Sequence, residues 1–254
     1  MQKINIGIVG LGSIGILLAI LLKKKNYKVF FNKKMKEKKI KVSLESNFYG
    51  TQVATLYKDK NLKKSDIIII CSKFPYLKKH LKEIKNTKAI IVPFLNGISH
   101  FDMLGKKFQL RYLTSNIGKV VSQKKNSFAI KHLSNNVPEV LISTENRDKS
   151  KIEIIKKIFK DIKFKIILKK DNQSVIWTKL IRLSSISAIT ALYNCNLGTI
   201  RKSKSKTLIL NTLIKEALFL SRKIFEFKET YTNIQRTIKT FPDNLTTSLQ
   251  HDIN

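Results

Sequence analysis

The sequence predicts an α/β protein in two parts: a doubly wound, mostly parallel sheet followed by a smaller all-α C-terminal domain. Three observations carry that expectation. Residues 4–31 read as strand, glycine-rich turn, helix and strand. Short apolar runs then alternate with helical periodicity as far as residue 168, the rhythm of parallel strands joined by crossover helices. From residue 169 to 254 the period is helical and strand signals almost vanish.

The elements follow in order. Ile4, Ile6, Ile8 and Val9 make a short buried strand. Gly10-Leu11-Gly12-Ser13-Ile14-Gly15 is a G-x-G-x-x-G turn, and residues 16–22 continue as an apolar helix closed by Lys23, Lys24 and Lys25. Cations are favoured there by the negative end of the helix dipole. Residues 27–31 form the second strand. Further strands are expected at 51–56, 66–72, 89–92, 110–115, 127–132, 138–143 and 163–168, with helices at 76–84 and 149–160. Beyond residue 169 come helices at 172–195, 206–227 and 230–240, then Pro242 and a helical start at 244–253. The domains are therefore set at 1–168 and 169–254.

The apolar opening has a competing explanation. No charge falls between Lys3 and Lys23, which is long enough for a spanning helix. Four glycines in residues 5–15 argue against one, because each costs up to about 1 kcal/mol in a helix interior. A signal peptide would carry its positive charge before the apolar core and a small-residue cleavage site after it. Neither arrangement is present, so no membrane segment is expected.

Composition narrows the function. With 43% hydrophobic and 26% charged residues, the 254-residue chain reads as globular. Its formal charge of +33 invites a nucleic-acid reading. The lysines, however, are spread along the whole chain, and arginines for bidentate base contacts are few. The excess of Lys, Ile and Asn fits an AT-rich coding composition, and nucleic acid is not the expected partner. A basic surface would still attract anionic ligands. Cys71 and Cys195 sit in apolar surroundings and read as reduced core residues of a cytoplasmic protein. His80, His100, His132 and His251 are scattered without metal-ligand spacing and are expected at surface or loop positions. No metal is expected.

The glycine turn carries the first chemistry. A G-x-G-x-x-G between strand and helix is the Rossmann-type dinucleotide fingerprint. Gly10 permits the tight turn, Gly12 lets the backbone approach a pyrophosphate, and Gly15 lets helix and strand pack closely. The helix N-terminus offers N–H groups and positive potential to the phosphates. An NAD enzyme places an acid after the second strand to bond the ribose 2′-hydroxyl. Here Asn32-Lys33-Lys34 stand instead. Ammonium groups attract a 2′-phosphate, so NADPH is expected over NADH.

The second chemistry lies in the helix at 172–195. On a 3.6-residue wheel Ile176, Leu180, Leu183, Ser187, Thr190 and Asn194 share a face, and Lys179 points the same way. Arg182 and Ser185 point elsewhere. Burial would lower the pKa of Lys179 and fit it for proton transfer to a carbonyl. Periodicity alone favours a lysine that snorkels from the edge of the stripe.

Taken together, the chain resembles the ketopantoate reductase family (NADPH-dependent 2-dehydropantoate 2-reductases). The matching pieces are Gly10-x-Gly12-x-x-Gly15, the basic position Lys34, Cys71-Ser-Lys73-Phe, Leu95-Asn96-Gly97, Trp177-Thr-Lys179-Leu180, Asn196-Leu-Gly198, Glu216 and Ser248-Leu-Gln-His-Asp252. Their order and spacing make the set specific. The resemblance implies hydride transfer from NADPH to 2-dehydropantoate, giving (R)-pantoate on the way to pantothenate and coenzyme A. It implies Lys179 as the catalytic group at the carbonyl oxygen. Asn96 would orient substrate and nicotinamide, Lys73 would lie near cofactor or substrate, and Ser248 would bond the substrate carboxylate. It also leaves a homodimer as an expected assembly.

The chain departs from the family pattern in several places. Two family Asn positions, one and two turns after the catalytic lysine, hold Leu183 and Ser187. Ser187 keeps a hydrogen-bonding group for substrate and Leu183 does not. A family Gln is read as Tyr76. The family pattern continues past Ser248 to a helix bearing a Glu, and no counterpart follows Asp252. Alternatives therefore stay open: a reductase of another branched 2-oxo acid, or a catalytically impaired dinucleotide-binding relative.

Overall fold

The computed structural model describes residues 4–32, 37–58, 62–84, 87–105, 109–110, 113–118, 120–123, 128–145, 149–224, 226 and 228–253. It divides into two compact units, Met1–Val175 and Ile176–Asn254.

The first unit contains β1 (Asn5–Val9), α1 (Ser13–Lys24), β2 (Lys28–Asn32), β3 (Lys39–Ser46), β4 (Gln52–Lys58), β5 (Ile67–Ile70), α2 (Leu77–Glu83), β6 (Ile90–Pro93) and α3 (Ser99–Gly105). After these come β7 (Gln109–Leu110), β8 (Leu113–Asn116), β9 (Val120–Ser122), β10 (Ala129–His132), β11 (Glu139–Ser143), α4 (Lys149–Asp161) and β12 (Lys165–Lys169). Among the described residues the main sheet runs β7-β6-β5-β1-β2-β4-β3-β10-β9, and β12-β11-β8 form a smaller sheet. β1 pairs in parallel with β2 on one side and β5 on the other. β2–β4, β5–β6 and β6–β7 are also parallel. Strand order thus grows outward from β1 in both directions, as the doubly wound expectation requires. β3 against β4 and β9 against β10 are antiparallel.

Burial explains the sequence pattern. All four isoleucines of β5 are buried. Ile67 and Ile69 join the core that contains α1, while Ile68 and Ile70, of opposite pleat, are buried outside that cluster. A strand covered on both faces reads as an unbroken apolar run. α1 is likewise apolar all round, and every residue from Gly15 to Leu22 is buried, which is how a core helix differs from a surface one. It ends where Asn26 takes a left-handed conformation (φ 63°) and the Tyr27 N–H bonds back to the Leu22 carbonyl at 3.2 Å. The apolar opening is therefore a strand, a turn and a helix rather than one continuous rod.

The expectation for two of the histidines fails. His100 and His132 are both fully buried. On β10, inward and outward positions alternate, and His132 falls on the inward side. Its Nδ1 lies 2.9 Å from Ser46 Oγ and its Nε2 2.8 Å from the Ile117 carbonyl oxygen. A carbonyl only accepts, so Nε2 carries the proton and Nδ1 accepts from the Ser46 hydroxyl. Ser46 Oγ in turn accepts from the N–H groups of Phe48 and Tyr49, at 3.1 and 3.0 Å. One imidazole therefore ties three chain segments together. Replacing His132 with alanine strands buried polar partners and opens a cavity. It is expected to lower the urea-unfolding free energy by about 2–4 kcal/mol.

The second unit begins within α5 (Asn172–Leu192) and continues through α6 (Leu197–Lys202), α7 (Lys204–Ile224), α8 (Tyr231–Lys239) and α9 (Ser248–Ile253). Asp171 starts α5 by accepting from the Ser174 N–H and hydroxyl, at 2.6 and 2.7 Å. Hydroxyls inside α5 are absorbed by their own helix: Ser185 bonds the Ile181 carbonyl and Thr190 that of Ile186, both at 2.8 Å. α5 is long and apolar enough to cross a membrane by length and composition, yet 56% of that stretch is buried within the protein. Asn196 caps α6 through the Thr199 N–H at 2.9 Å. Arg201 on α6 bonds the Ile238 and Phe241 carbonyls at 2.6 and 2.9 Å and pairs with Asp243. Those carbonyls close the C-terminal end of α8, where the dipole favours a cation.

Candidate dinucleotide and substrate sites

In the first unit, β1, β5 and β6 end together. Val9 is in register with Ile70, and Ile70 with Pro93. The ladder continues one step further, with the Cys71 N–H on the Val9 carbonyl and the Phe94 N–H on that of Ile70, both at 2.7 Å. Residues just past these strand ends therefore line one edge of the sheet. They are the Gly10–Gly15 turn, Ser72 and Lys73, and Asn96. Ligands of doubly wound sheets bind at this carboxyl edge, where strand order reverses.

The turn is built for close approach. Gly10 has φ +93°, and a Cβ there would fall 2.5 Å from the Ser72 backbone nitrogen. A Cβ on Gly15 would overlap the Gly10 carbonyl oxygen. Gly12 is the opposite case: it is exposed, and a Cβ would meet nothing within 4 Å. Gly12 is the N-cap of α1 with no side chain capping the helix, and no acid lies in the first turn. Leu11, Ser13 and Ile14 are half-buried. An open backbone concavity at an uncapped helix start fits the two negative charges of a pyrophosphate. The Ser72 hydroxyl behind it is buried and has no hydrogen-bond partner among the described residues. The residues present therefore fit a dinucleotide.

The remaining candidates of the first unit fall around this edge. Lys73 is exposed and extended (φ −65°, ψ 148°) just before the single helical turn Phe74–Tyr76. Asn96 is exposed in the loop after β6, followed by Gly97 at φ +85°. Lys34, expected at the 2′-phosphate, lies outside the described residues. Phe74, Tyr76 and Ile98 are exposed large apolar side chains on the same loops.

In the second unit, Lys179 is half-buried on α5. Burial of its ammonium group lowers its pKa to about 8, and repulsion from Arg182 adds to the effect. Arg182 lies off the apolar stripe, yet its charge is near enough to act on Lys179. Their i, i+3 spacing on one helix was the available signal. Ser187 is buried and Ser248 exposed. Thr247 Oγ1 lies 3.0 Å from Thr190 Oγ1, and Gln250 Nε2 bonds Asn194 Oδ1 at 3.1 Å, so α9 is tied to the C-terminal half of α5. Ser248 and Ser187 are thereby brought to the same end of the helix. Lys179 stands about 12 Å from Ser187 along the axis, at ~1.5 Å per residue. Among the described residues no group of three or more His, Cys, Asp or Glu side chains could hold a metal. Cys71 is half-buried against the core, and burial raises its thiol well above the ordinary pKa, surroundings that disfavour a nucleophilic thiolate.

A Rossmann-type sheet with an open glycine turn, joined to a helical unit bearing a depressed lysine, defines a class of two-unit nucleotide-binding reductases. The chain belongs to the ketopantoate reductase family: the family model "Ketopantoate reductase PanE/ApbA" matches residues 6–139 and its C-terminal counterpart matches 171–254. An uncharacterized oxidoreductase, YkpB of Bacillus subtilis (strain 168), is 26% identical over 161 residues. That match takes in 62% of this chain and spans about half (53%) of the length of the relative. Solved structures share the fold over 98% of this chain. A 2-dehydropantoate 2-reductase from Geobacter metallireducens GS-15 superposes with a TM-score of 0.83 at 16% identity, covering 87% of that chain. D-mandelate dehydrogenase, solved with NADH and anilino(oxo)acetate, gives 0.78 at 15% identity and 85%.

Proposed function

We propose that this protein uses NADPH to reduce a 2-oxo acid, and that 2-dehydropantoate, giving (R)-pantoate for pantothenate and coenzyme A synthesis, is its substrate. The observation that carries this reading is Lys179, a half-buried lysine of pKa about 8 in a chain whose other unit presents an open glycine turn. The reduced nicotinamide, when bound, supplies the hydride. Negative charge then builds on the substrate carbonyl oxygen, and the Lys179 ammonium is the group that stabilises and protonates it. Gly10, Leu11, Gly12, Ser13, Ile14 and Gly15 hold the pyrophosphate through backbone N–H groups. Lys73 and Asn96 serve the nicotinamide half, and Asn96, Ser187 and Ser248 orient the substrate. The want of an acid after β2, with Lys34 in its place, supports NADPH over NADH.

A second reading follows from Leu183, which is half-buried on the Lys179 stripe. An apolar group at this position favours a 2-oxo acid with a purely apolar branched side chain over one bearing a hydroxymethyl group. Steady-state NADPH oxidation with 2-dehydropantoate and with 3-methyl-2-oxobutanoate separates the two. The first reading expects kcat/KM at least about tenfold higher for 2-dehydropantoate, the worth of one buried hydroxyl partner. Reversed preference supports the second. Turnover of neither, with NADPH still bound, identifies a catalytically impaired relative.

A further inference from the structure

Ser72 follows β5 and stands against the glycine turn. A Cβ on Gly10 would lie 2.5 Å from the Ser72 nitrogen and 2.7 Å from its Cα, so the two backbones are already at closest approach. The residue is 8% exposed, and its hydroxyl is buried with no hydrogen-bond partner among the described residues. A buried hydroxyl left unbonded is destabilising, and a core position would be served better by alanine. The sequence nevertheless keeps a serine where β1 and β5, the central strands of the two mononucleotide halves, end side by side.

We propose that the Ser72 hydroxyl is a cofactor-positioning group that acquires its hydrogen bond only when the dinucleotide is bound, and that it serves the nicotinamide half of the molecule. The assignment rests on the dinucleotide reading above. The half follows from topology: β2 and β4 lie on the adenosine side of β1, whereas β5 and β6 lie on the other. The hydroxyl is enclosed in the unliganded protein, so its partner reaches it through a small adjustment of the turn as the dinucleotide seats. Phosphate and ribose oxygens can both accept from it, and the test below asks which half of the ligand it serves rather than which oxygen.

The test compares wild type, Ser72→Ala and Ser72→Cys in equilibrium titrations with NADPH and with 2′,5′-ADP, which carries only the adenosine half, alongside thermal unfolding without ligand. Loss of one hydrogen bond to a ligand predicts about tenfold weaker NADPH binding in both variants. It predicts unchanged binding of 2′,5′-ADP. The ligand-free Tm should be equal or higher, because an unsatisfied polar group has been removed. Unchanged NADPH affinity overturns the proposal. So does an equal loss for both ligands, or a ligand-free Tm lowered by several degrees in both variants, which marks a structural serine. Failure of wild type to bind NADPH would instead overturn the dinucleotide reading itself.

Discussion

Lys179→Ala is expected to lower kcat by about 10³-fold, the range set by losing a charge-stabilising proton donor at a developing oxyanion. NADPH affinity should stay within about twofold, because the glycine turn proposed to hold the pyrophosphate belongs to another element. The pH dependence checks the role separately. Only the ammonium form can donate, so with a pKa of about 8 the rate should fall as pH rises through 8. Removing the neighbouring cation in Arg182→Gln relieves the repulsion and should carry that limb upward in pH. Stability moves the other way. The folded pKa lies below the 10.5 of an ordinary lysine, so the unfolded chain binds more protons between about pH 8 and 10.5. Folding should gain stability with pH across that window, and Lys179→Met should abolish this part of the gain in urea titrations. Full turnover in Lys179→Ala would remove it from the chemistry.

Two glycines of the turn should fail in opposite ways. Gly15→Ala places a methyl group into the Gly10 carbonyl oxygen. The helix must move off the strand, and about 2–4 kcal/mol of stability should be lost in chemical unfolding, in line with overpacking a dense core. Gly12→Val meets nothing within 4 Å in the unliganded protein, so its unfolding curve should change little, within about 1 kcal/mol. Its side chain occupies the space a pyrophosphate needs, and NADPH binding should weaken at least about 100-fold, some 2.7 kcal/mol. If Gly12→Val binds NADPH normally, the concavity is not the phosphate site.

How much was legible beforehand differs by element. The opening strand, turn and helix were readable because each glycine has a separate steric duty and the flanking runs have distinct periods. The alternation of β5 and β6 with helices was readable because strands buried on both faces are continuously apolar. β3 was missed although its burial alternates along the whole strand. Its outward positions are Lys39, Lys41, Ser43 and Glu45, and in a lysine-rich chain such residues read as loop. α3 and α6, helices of seven and six residues, were also missed. The burial of His132 could not be seen because its partners, Ser46 and the Ile117 carbonyl, are remote in sequence. Among the site candidates, Gly10 to Gly15 follow from turn chemistry, whereas Lys73 and Asn96 came from the family resemblance. The Arg182 repulsion could have been read from its i, i+3 spacing to Lys179, whereas the unbonded Ser72 hydroxyl is a property of three-dimensional surroundings that no single-residue signal announces.

The pairing of β10 with β3 bears on how the polypeptide reaches this state. Ala129 aligns with Ser43 in parallel, and the imidazole that locks the join meets a hydroxyl 86 positions earlier. Until residues 129–132 have left the ribosome, the outer edge of β3 has no ladder partner. Closing so long a loop late favours slow, topology-limited maturation. Nascent chains shorter than that point would present a sticky strand edge to their neighbours.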